Sequence, residues 1–371
     1  MLVRSVLGRA VKGATATRAR VLAGSLHTSA PVWQEKVAAR EVPVYTYTSE
    51  MHPVATSSLA GSISSRPPIA TTLPVDEAKS ASSVDITEPV DETQDVVGLK
   101  DSVYSAMPHT LKNFTLQGKV AVITGGARGL GYNIAEAFAE VGCKAVIIMD
   151  VQQELGDSAA AAIHARSKIP VKFYKVDVRD ESAIAEVVEN ASKSFGSIDV
   201  VVNAAGIADS NIKAMDYDTD RFRRLIDINV TGSFLIAQAC GRTMIQAGNG
   251  GSIIFIASMS GTIVNFPQEQ SCYNASKAAV IQLAKSLAAE WAQHNIRVNC
   301  ISPGYMDTAL NRVPALDAQK RIWTEKTPQQ RLGQPDELNN LAVFLASSGS
   351  SFMTGTNCII DMNLFDGAID G

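Results

Sequence analysis

Five residues, VAVIT at Val120–Thr124, run straight into TGGARGLG and then into a segment with Ile134, Ala135, Phe138, Ala139 and Val141 at helical spacing, closed by Gly142. This order of strand, glycine-rich turn and helix restricts the possible folds more than any other feature of the chain. Glycine is needed where the backbone reverses between the two elements, and where a pyrophosphate comes up against the N–H groups of a helix start. The same glycines in an isolated loop carry little weight, but here they have the required flanks. Thr124, Gly125, Arg128, Gly129, Leu130 and Gly131 are therefore candidate dinucleotide-binding residues.

The alternation continues downstream. AVIIMD ends at Asp150, 25 residues beyond Gly125; a carboxylate there accepts hydrogen bonds from ribose hydroxyls and repels a 2′-phosphate, which points to NAD. VKFYKVDV brings Asp177 and Val178 to a strand's carboxyl end, where an adenine edge fits, and IDVVVNAAG supplies Asn203, Ala204 and Gly206 as a floor of small residues. A long helix is predicted from about Asp220 through NVTGSFLIAQAC. It carries Asn229 between Ile228 and Val230, a position that assigns a buried task to a residue otherwise mildly unfavourable in helices. GSIIFIA is a buried strand leading to Ser258, IRVNCISPGYMDT a sixth strand ending at Pro303 and Gly304, and TNCIID closes the sheet. The mixed segment from Tyr305 to about Gln334 suits a substrate lid. The expected fold class is α/β, a single doubly wound Rossmann domain whose parallel sheet binds ligands beyond its carboxyl ends.

YNASK sets Tyr273 and Lys277 four residues apart, on one stripe of a helix. An ammonium beside a phenol favours the phenolate, drawing a group of ordinary pKa about 10 towards use as a base. Ser258, 15 residues before Tyr273 at the end of its strand, can meet that phenol and hold a substrate oxygen. A Tyr and Lys at this spacing are more often an ordinary surface pair; the upstream glycine fingerprint shifts the balance towards chemistry. The five cysteines never form CxxC and the five histidines are scattered, so no metal site is expected.

Net charge is −4, from 33 basic and 37 acidic side chains, without the basic excess of a nucleic-acid binder. No apolar run approaches the roughly 18 residues of a membrane span. Residues 1–39 hold six basic side chains and one acidic, with Arg4, Arg9, Lys12, Arg18 and Arg20 set among Leu, Val and Ala. That is the makeup of a mitochondrial transit peptide, and it leads to an expected matrix location. Residues 40–110 hold seven of the 14 prolines and no sustained period, and are expected to be a disordered linker before a domain over 111–371.

From about Phe114 to Asp361 the chain resembles the short-chain dehydrogenase/reductase family, on the combination of TGxxxGxG, NAAG, SxxG, YxxxK and PG. The resemblance implies a seven-stranded Rossmann sheet, commonly in a homotetramer, and a catalytic set of Asn229, Ser258, Tyr273 and Lys277. Within the family, NFTLQGK and PQEQSCYNASKAAV are similar to fungal polyol dehydrogenases and ketose reductases of the D-arabinitol 2-dehydrogenase kind. This implies hydride transfer between a polyol carbon and NAD. Tyr273 takes the hydroxyl proton, Ser258 holds the substrate oxygen, Lys277 lowers the Tyr pKa and binds the nicotinamide ribose, and Asn229 holds a water. Pro303, Gly304, Met306 and Thr308 lie along the nicotinamide, with Thr308, Tyr305 and Met306 fixing its carboxamide. The chain departs from the family pattern in NAAG for NNAG, in IIDMN for IIDGG, and in its N-terminal extension.

Two other readings compete. A mitochondrial 3-oxoacyl or 3-hydroxyacyl thioester oxidoreductase would use the same four residues and a basic patch, for which Arg312, Lys320, Arg321 and Lys326 are available. A non-catalytic NAD-binding scaffold could dispense with the Tyr/Lys pair that this chain retains.

Overall fold

Each apolar run picked out above forms a strand in the computed structural model, which describes residues 98–308, 311–312 and 316–361. These are β1 (Val120–Thr124), β2 (Ala145–Asp150), β3 (Val171–Lys175), β4 (Val200–Asn203), β5 (Gly251–Ile256), β6 (Ile296–Pro303) and β7 (Asn357–Ile360). All pair in parallel, in the order β3-β2-β1-β4-β5-β6-β7. The helices are α1 (Asp101–Ala106), α2 (His109–Lys112), α3 (Gly129–Glu140), α4 (Gln153–Ser167), α5 (Glu181–Phe195), α6 (Thr219–Ile226), α7 (Ser233–Ala247), α8 (Ser271–Trp291), α9 (Asp317–Lys326) and α10 (Asn339–Ala346).

Strands covered on both faces read as unbroken apolar runs rather than as alternation, and β1 and β2 are buried at every position. On one face Val122, Ile147 and Val201 pack with Val188 of α5, Ile236 of α7 and Leu287 of α8. On the other, Ile123, Ile148 and Val202 pack with Phe138 of α3, Ile163 of α4 and Leu345 of α10. The chain steps outward from β1 to β3, then crosses back to β4 on β1's other side. That reversal opens a crevice beyond the carboxyl ends of β1 and β4, where an open α/β sheet takes its ligand.

Two features differ from expectation. Residues 98–110, assigned on composition to the linker, include α1, and the Leu99 N–H donates to the Glu140 carbonyl at 2.9 Å while Gln117 Nε2 donates to Asp101 Oδ1 at 2.7 Å. No α1 residue is buried, so this helix leaves no apolar period to read. The long helix expected from Asp220 is interrupted by a π-helical turn, Asp227–Gly232, between α6 and α7. The segments expected to be a transit peptide and, up to residue 97, a linker, and the atypical C-terminal residues after Asp361, lie outside the described residues.

Candidate active site

The glycine loop follows from its backbone. Gly125 and Gly129 have φ of +65° and +61°, a region that costs L residues with a Cβ energy. A Cβ on Gly131 would overlap the Gly125 carbonyl, so the helix start can approach the strand end only without a side chain there. A cavity of about 540 Å³ opens beside this loop. Gly125, Arg128, Gly129, Leu130 and Gly131 line one end, Asp150, Asp177 and Val178 the middle, and Ala204, Gly206 and Thr308 the far side. Asp150, at the end of β2, is 9% exposed. Its carboxylate accepts from the Ala127 N–H at 3.2 Å and the Gln152 N–H at 3.1 Å, so it braces the glycine loop as well as facing the cavity.

Other expected cofactor residues sit behind this wall. Thr124 Oγ1 accepts from the Ala205 N–H at 3.1 Å, and Asn203 Nδ2 reaches the Ser233 carbonyl at 3.5 Å; both are buried braces beneath the floor. Pro303 ends β6, and Gly304 packs against Asp361, which a Cβ would meet at 2.6 Å. The Met306 side chain belongs to the core with Leu338 and Ala342. Arg179 and Arg224 also line the cavity, although no spacing pointed to them. Arg179 is committed to Asp177, with Nη2 to Oδ2 at 2.6 Å, and this bond holds the Asp177 carboxyl below its ordinary pKa.

The four residues expected to be catalytic come from three elements. Asn229 sits on the π turn, 1% exposed. Its Oδ1 accepts from the Ile207 N–H at 2.9 Å, and its Nδ2 donates to the Ile207 carbonyl at 2.9 Å and to Ser276 Oγ at 3.1 Å. Asn229 thus clamps the loop after β4 to α8. A π turn re-aims one side chain within a helix, and such turns recur at functional sites. Ser276, which sequence reasoning passed over, completes the clamp by donating from Oγ to the Tyr273 carbonyl at 2.8 Å. Gly206 joins the two halves of the site, since a Cβ there would stand 3.2 Å from Asn229 Oδ1 and 3.7 Å from Lys277 Nζ.

Electrostatics differ from the simple picture of a lysine activating a tyrosine. Lys277 Nζ lies 5.6 Å from the centre of the Tyr273 ring and donates to the Ile256 carbonyl at 2.9 Å. Burial pushes the Tyr273 phenol up to about 12, and the hydrogen bond from Ser258 pulls the other way. Burial also brings Lys277 down to about 8. Desolvation penalises phenolate and ammonium alike, so the chain by itself holds this phenol protonated at neutral pH.

The match to a family profile described as Enoyl-(Acyl carrier protein) reductase covers residues 125–362. Sorbose reductase sou1 of Schizosaccharomyces pombe is 39% identical over 249 residues, 67% of this chain and 96% of that protein. The chain belongs to the short-chain dehydrogenase/reductase family. This short-chain dehydrogenase/reductase is also similar to the ribulose-forming D-arabinitol 2-dehydrogenase of Candida albicans, 38% identical over 276 residues, 70% of this chain and 98% of that one. Among solved structures, a gluconate 5-dehydrogenase from Burkholderia cenocepacia in complex with NADP and tartrate has a TM-score of 0.64 at 33% identity, covering 69% of this chain and 98% of that one.

A nicotinamide dinucleotide fits what the short-chain dehydrogenase/reductase presents. The glycine loop leaves room for a pyrophosphate, Asp150 and Asp177 stand along the cavity, and the Gly206 end abuts Lys277. Holding Lys277 in that place costs the cofactor-free protein stability. Below about 8 the amine is charged in folded and unfolded chains, and the folded chain bears the burial cost; between about 8 and 10.5 that cost is relieved. At about 1.4 kcal/mol per pH unit the scale is on the order of 3 kcal/mol. Lys277→Met is therefore expected to raise the cofactor-free Tm at pH 7, with the gain fading as pH approaches 10.5. Thermal unfolding across that range checks this, and a Tm difference independent of pH would refute it.

Proposed function

We propose that this protein is a NAD(H)-dependent polyol dehydrogenase, interconverting a secondary alcohol of an acyclic polyol and the corresponding ketose, in the manner of D-arabinitol 2-dehydrogenase. The observation that carries this reading is the junction at Gly206, where the dinucleotide-sized cavity meets Asn229 of the π turn and Lys277 of α8, the helix that also bears Tyr273. The similarity to sorbose reductase and D-arabinitol 2-dehydrogenase supports the substrate class.

A bound oxidised nicotinamide supplies the hydride-accepting carbon and a positive charge. Tyr273, as phenolate, takes the proton of the substrate hydroxyl. Ser258 donates to the same substrate oxygen and holds it within reach of the phenol. Lys277, buried against the Ile256 carbonyl and brought down to about 8, would bind the nicotinamide ribose, and in its charged form would add to the Ser258 hydrogen bond in favouring the phenolate. Asn229 keeps the loop after β4 in register with α8, so that the floor and the reacting side chains share one geometry.

The thioester reading loses part of its support. Of the four cations it called on, Arg312 is paired with Asp307 at 3.3 Å and Lys320 with Asp317 at 2.8 Å, which partly offsets the positive charge of two of them. A panel of pentitols, hexitols, their ketoses and acetoacetyl-CoA, followed by nicotinamide absorbance, distinguishes the two. Turnover of one or more polyol/ketose pairs is expected; turnover of the thioester alone would sink the polyol reading.

A further inference from the structure

We propose that Gln270 and Ser260 are positioning residues that make Ser258 a one-way hydrogen-bond donor to the reacting oxygen, through a chain of polarity running from Gln270 to Ser260 to Ser258. The inference rests on the reading of Tyr273 as the base.

After β5 the chain makes a 3₁₀ turn, Met259–Gly261, which Ser258 caps by accepting the Ser260 N–H at 3.2 Å. The Ser258 and Ser260 hydroxyl oxygens are 3.0 Å apart. Ser260 is 4% exposed and Gln270, three residues before Tyr273, is 8% exposed. Gln270 Nε2 has three oxygens within bonding distance: Ser260 Oγ at 3.1 Å, Asn265 Oδ1 at 2.7 Å and Asn274 Oδ1 at 3.0 Å.

A hydroxyl carries one proton and two lone pairs. An amide NH₂ can only donate, and its two protons serve three oxygens here, so Ser260 Oγ is an acceptor towards Gln270 through a proton shared with a neighbouring oxygen. The Ser260 proton is then free to turn to Ser258 Oγ, which already accepts the Ser260 backbone N–H. With the Ser260 proton turned that way both Ser258 lone pairs are filled, and its own proton, which otherwise can go to the second Ser260 lone pair, has one direction left, towards the Tyr273 phenol and the substrate oxygen beside it. Without the Gln270 donor the two serine hydroxyls can exchange roles, and Ser258 can present a lone pair where the reaction needs a proton. The hydrogen bond from Ser258 is the influence that lowers the Tyr273 pKa against burial, so losing its direction weakens the base. The other titratable groups in this neighbourhood are Lys277 with Cys300 near it, Tyr305, whose hydroxyl accepts from Asn265 Nδ2 at 3.2 Å, the exposed Glu269 beside Gln270, and Cys272 with the Tyr217, Asp209 and Arg221 set near it. The variants below leave all of them in place.

The test follows alcohol oxidation against pH in Gln270→Met, Ser260→Ala, Ser260→Thr and the double variant Ser260→Ala/Gln270→Met. Gln270→Met and Ser260→Ala are each expected to lower kcat about 10-fold, the worth of one hydrogen bond in the transition state. Each should leave KM within about threefold and move the acidic limb of kcat upward by roughly half to one pH unit. Ser260→Thr keeps a hydroxyl and should keep the wild-type limb. The double variant should cost no more than Ser260→Ala alone, because both act through the same hydroxyl. NADH binding, read by its fluorescence, should be unchanged in every variant. An unmoved limb in Gln270→Met and Ser260→Ala, or losses that multiply in the double variant, would overturn the proposal. Should one variant fail to fold, the limb in the other decides. A wild-type enzyme that oxidises no polyol would defeat the functional reading, whereas turnover with an unmoved limb defeats only the relay.

Discussion

Tyr273→Phe should reduce turnover by about 10²–10⁴-fold, the usual cost of removing a general base, while NADH binds with nearly wild-type affinity. The substitution deletes one oxygen and little volume, and the neighbours of the ring stay where they are. Asn229 remains tied to Ile207 and Ser276, and Lys277 remains on the Ile256 carbonyl. What is lost is the group proposed to take the hydroxyl proton. Burial holds the phenol at about 12 in the cofactor-free chain, so the wild-type rate should climb with pH through a limb set by this group once the cofactor is bound. In the variant that limb should vanish from the residual rate. A variant with near-normal kcat, or with the limb intact, would remove Tyr273 from the role assigned to it.

The second large effect expected is cofactor choice. NAD(H) should be preferred over NADP(H) by kcat/KM on the order of 10²-fold, equivalent to about 2.7 kcal/mol. Seating a 2′-phosphate against Asp150 sets like charges together in a partly buried place, at a cost of several kcal/mol. The cations nearby offer limited return. Arg128 is exposed, Arg179 is bonded to Asp177, and an exposed guanidinium contributes only about 0–1 kcal/mol. Arg224, also on the cavity wall, is exposed as well. Asp150→Ser should narrow the preference mainly by improving use of NADP. Because the Asp150 carboxylate also accepts the Ala127 and Gln152 N–H groups, Asp150→Asn is the companion variant, keeping an acceptor while removing the charge. If charge decides, both narrow the ratio; if bracing of the glycine loop decides, only Asp150→Ser alters kinetics, and with both cofactors alike. Equal wild-type use of NAD and NADP would show that Asp150 does not set the choice.

The order of strands and helices, the glycine loop and the Tyr273/Lys277 stripe could be read directly from the chain, because each depends on local periodicity or on backbone that only glycine tolerates. VAVIT and AVIIMD are apolar throughout because both faces of the sheet are covered, and Gly131 is glycine because its neighbour's carbonyl fills the space of a Cβ. Asp150 was legible as a strand-end acid at the right distance. Its grip on the Ala127 N–H was not, since that bond spans 23 residues of chain.

Only the tertiary structure decided the rest. The π turn that aims Asn229 is a change of hydrogen-bond register within a helix, and residue periodicity does not record it. Arg179 and Arg224 reach the same cavity from different elements, and the set of Ser258, Ser260 and Gln270 forms where the turn after β5 meets the start of α8. The balance at Tyr273 is the clearest case. Four-residue spacing places an ammonium near a phenol and suggests a lowered pKa, whereas folding buries Lys277, half-buries Tyr273 and ties the ammonium to Ile256. Spacing along a helix is a property of the sequence; removal from water is a property of everything packed around it, and here it is the larger effect.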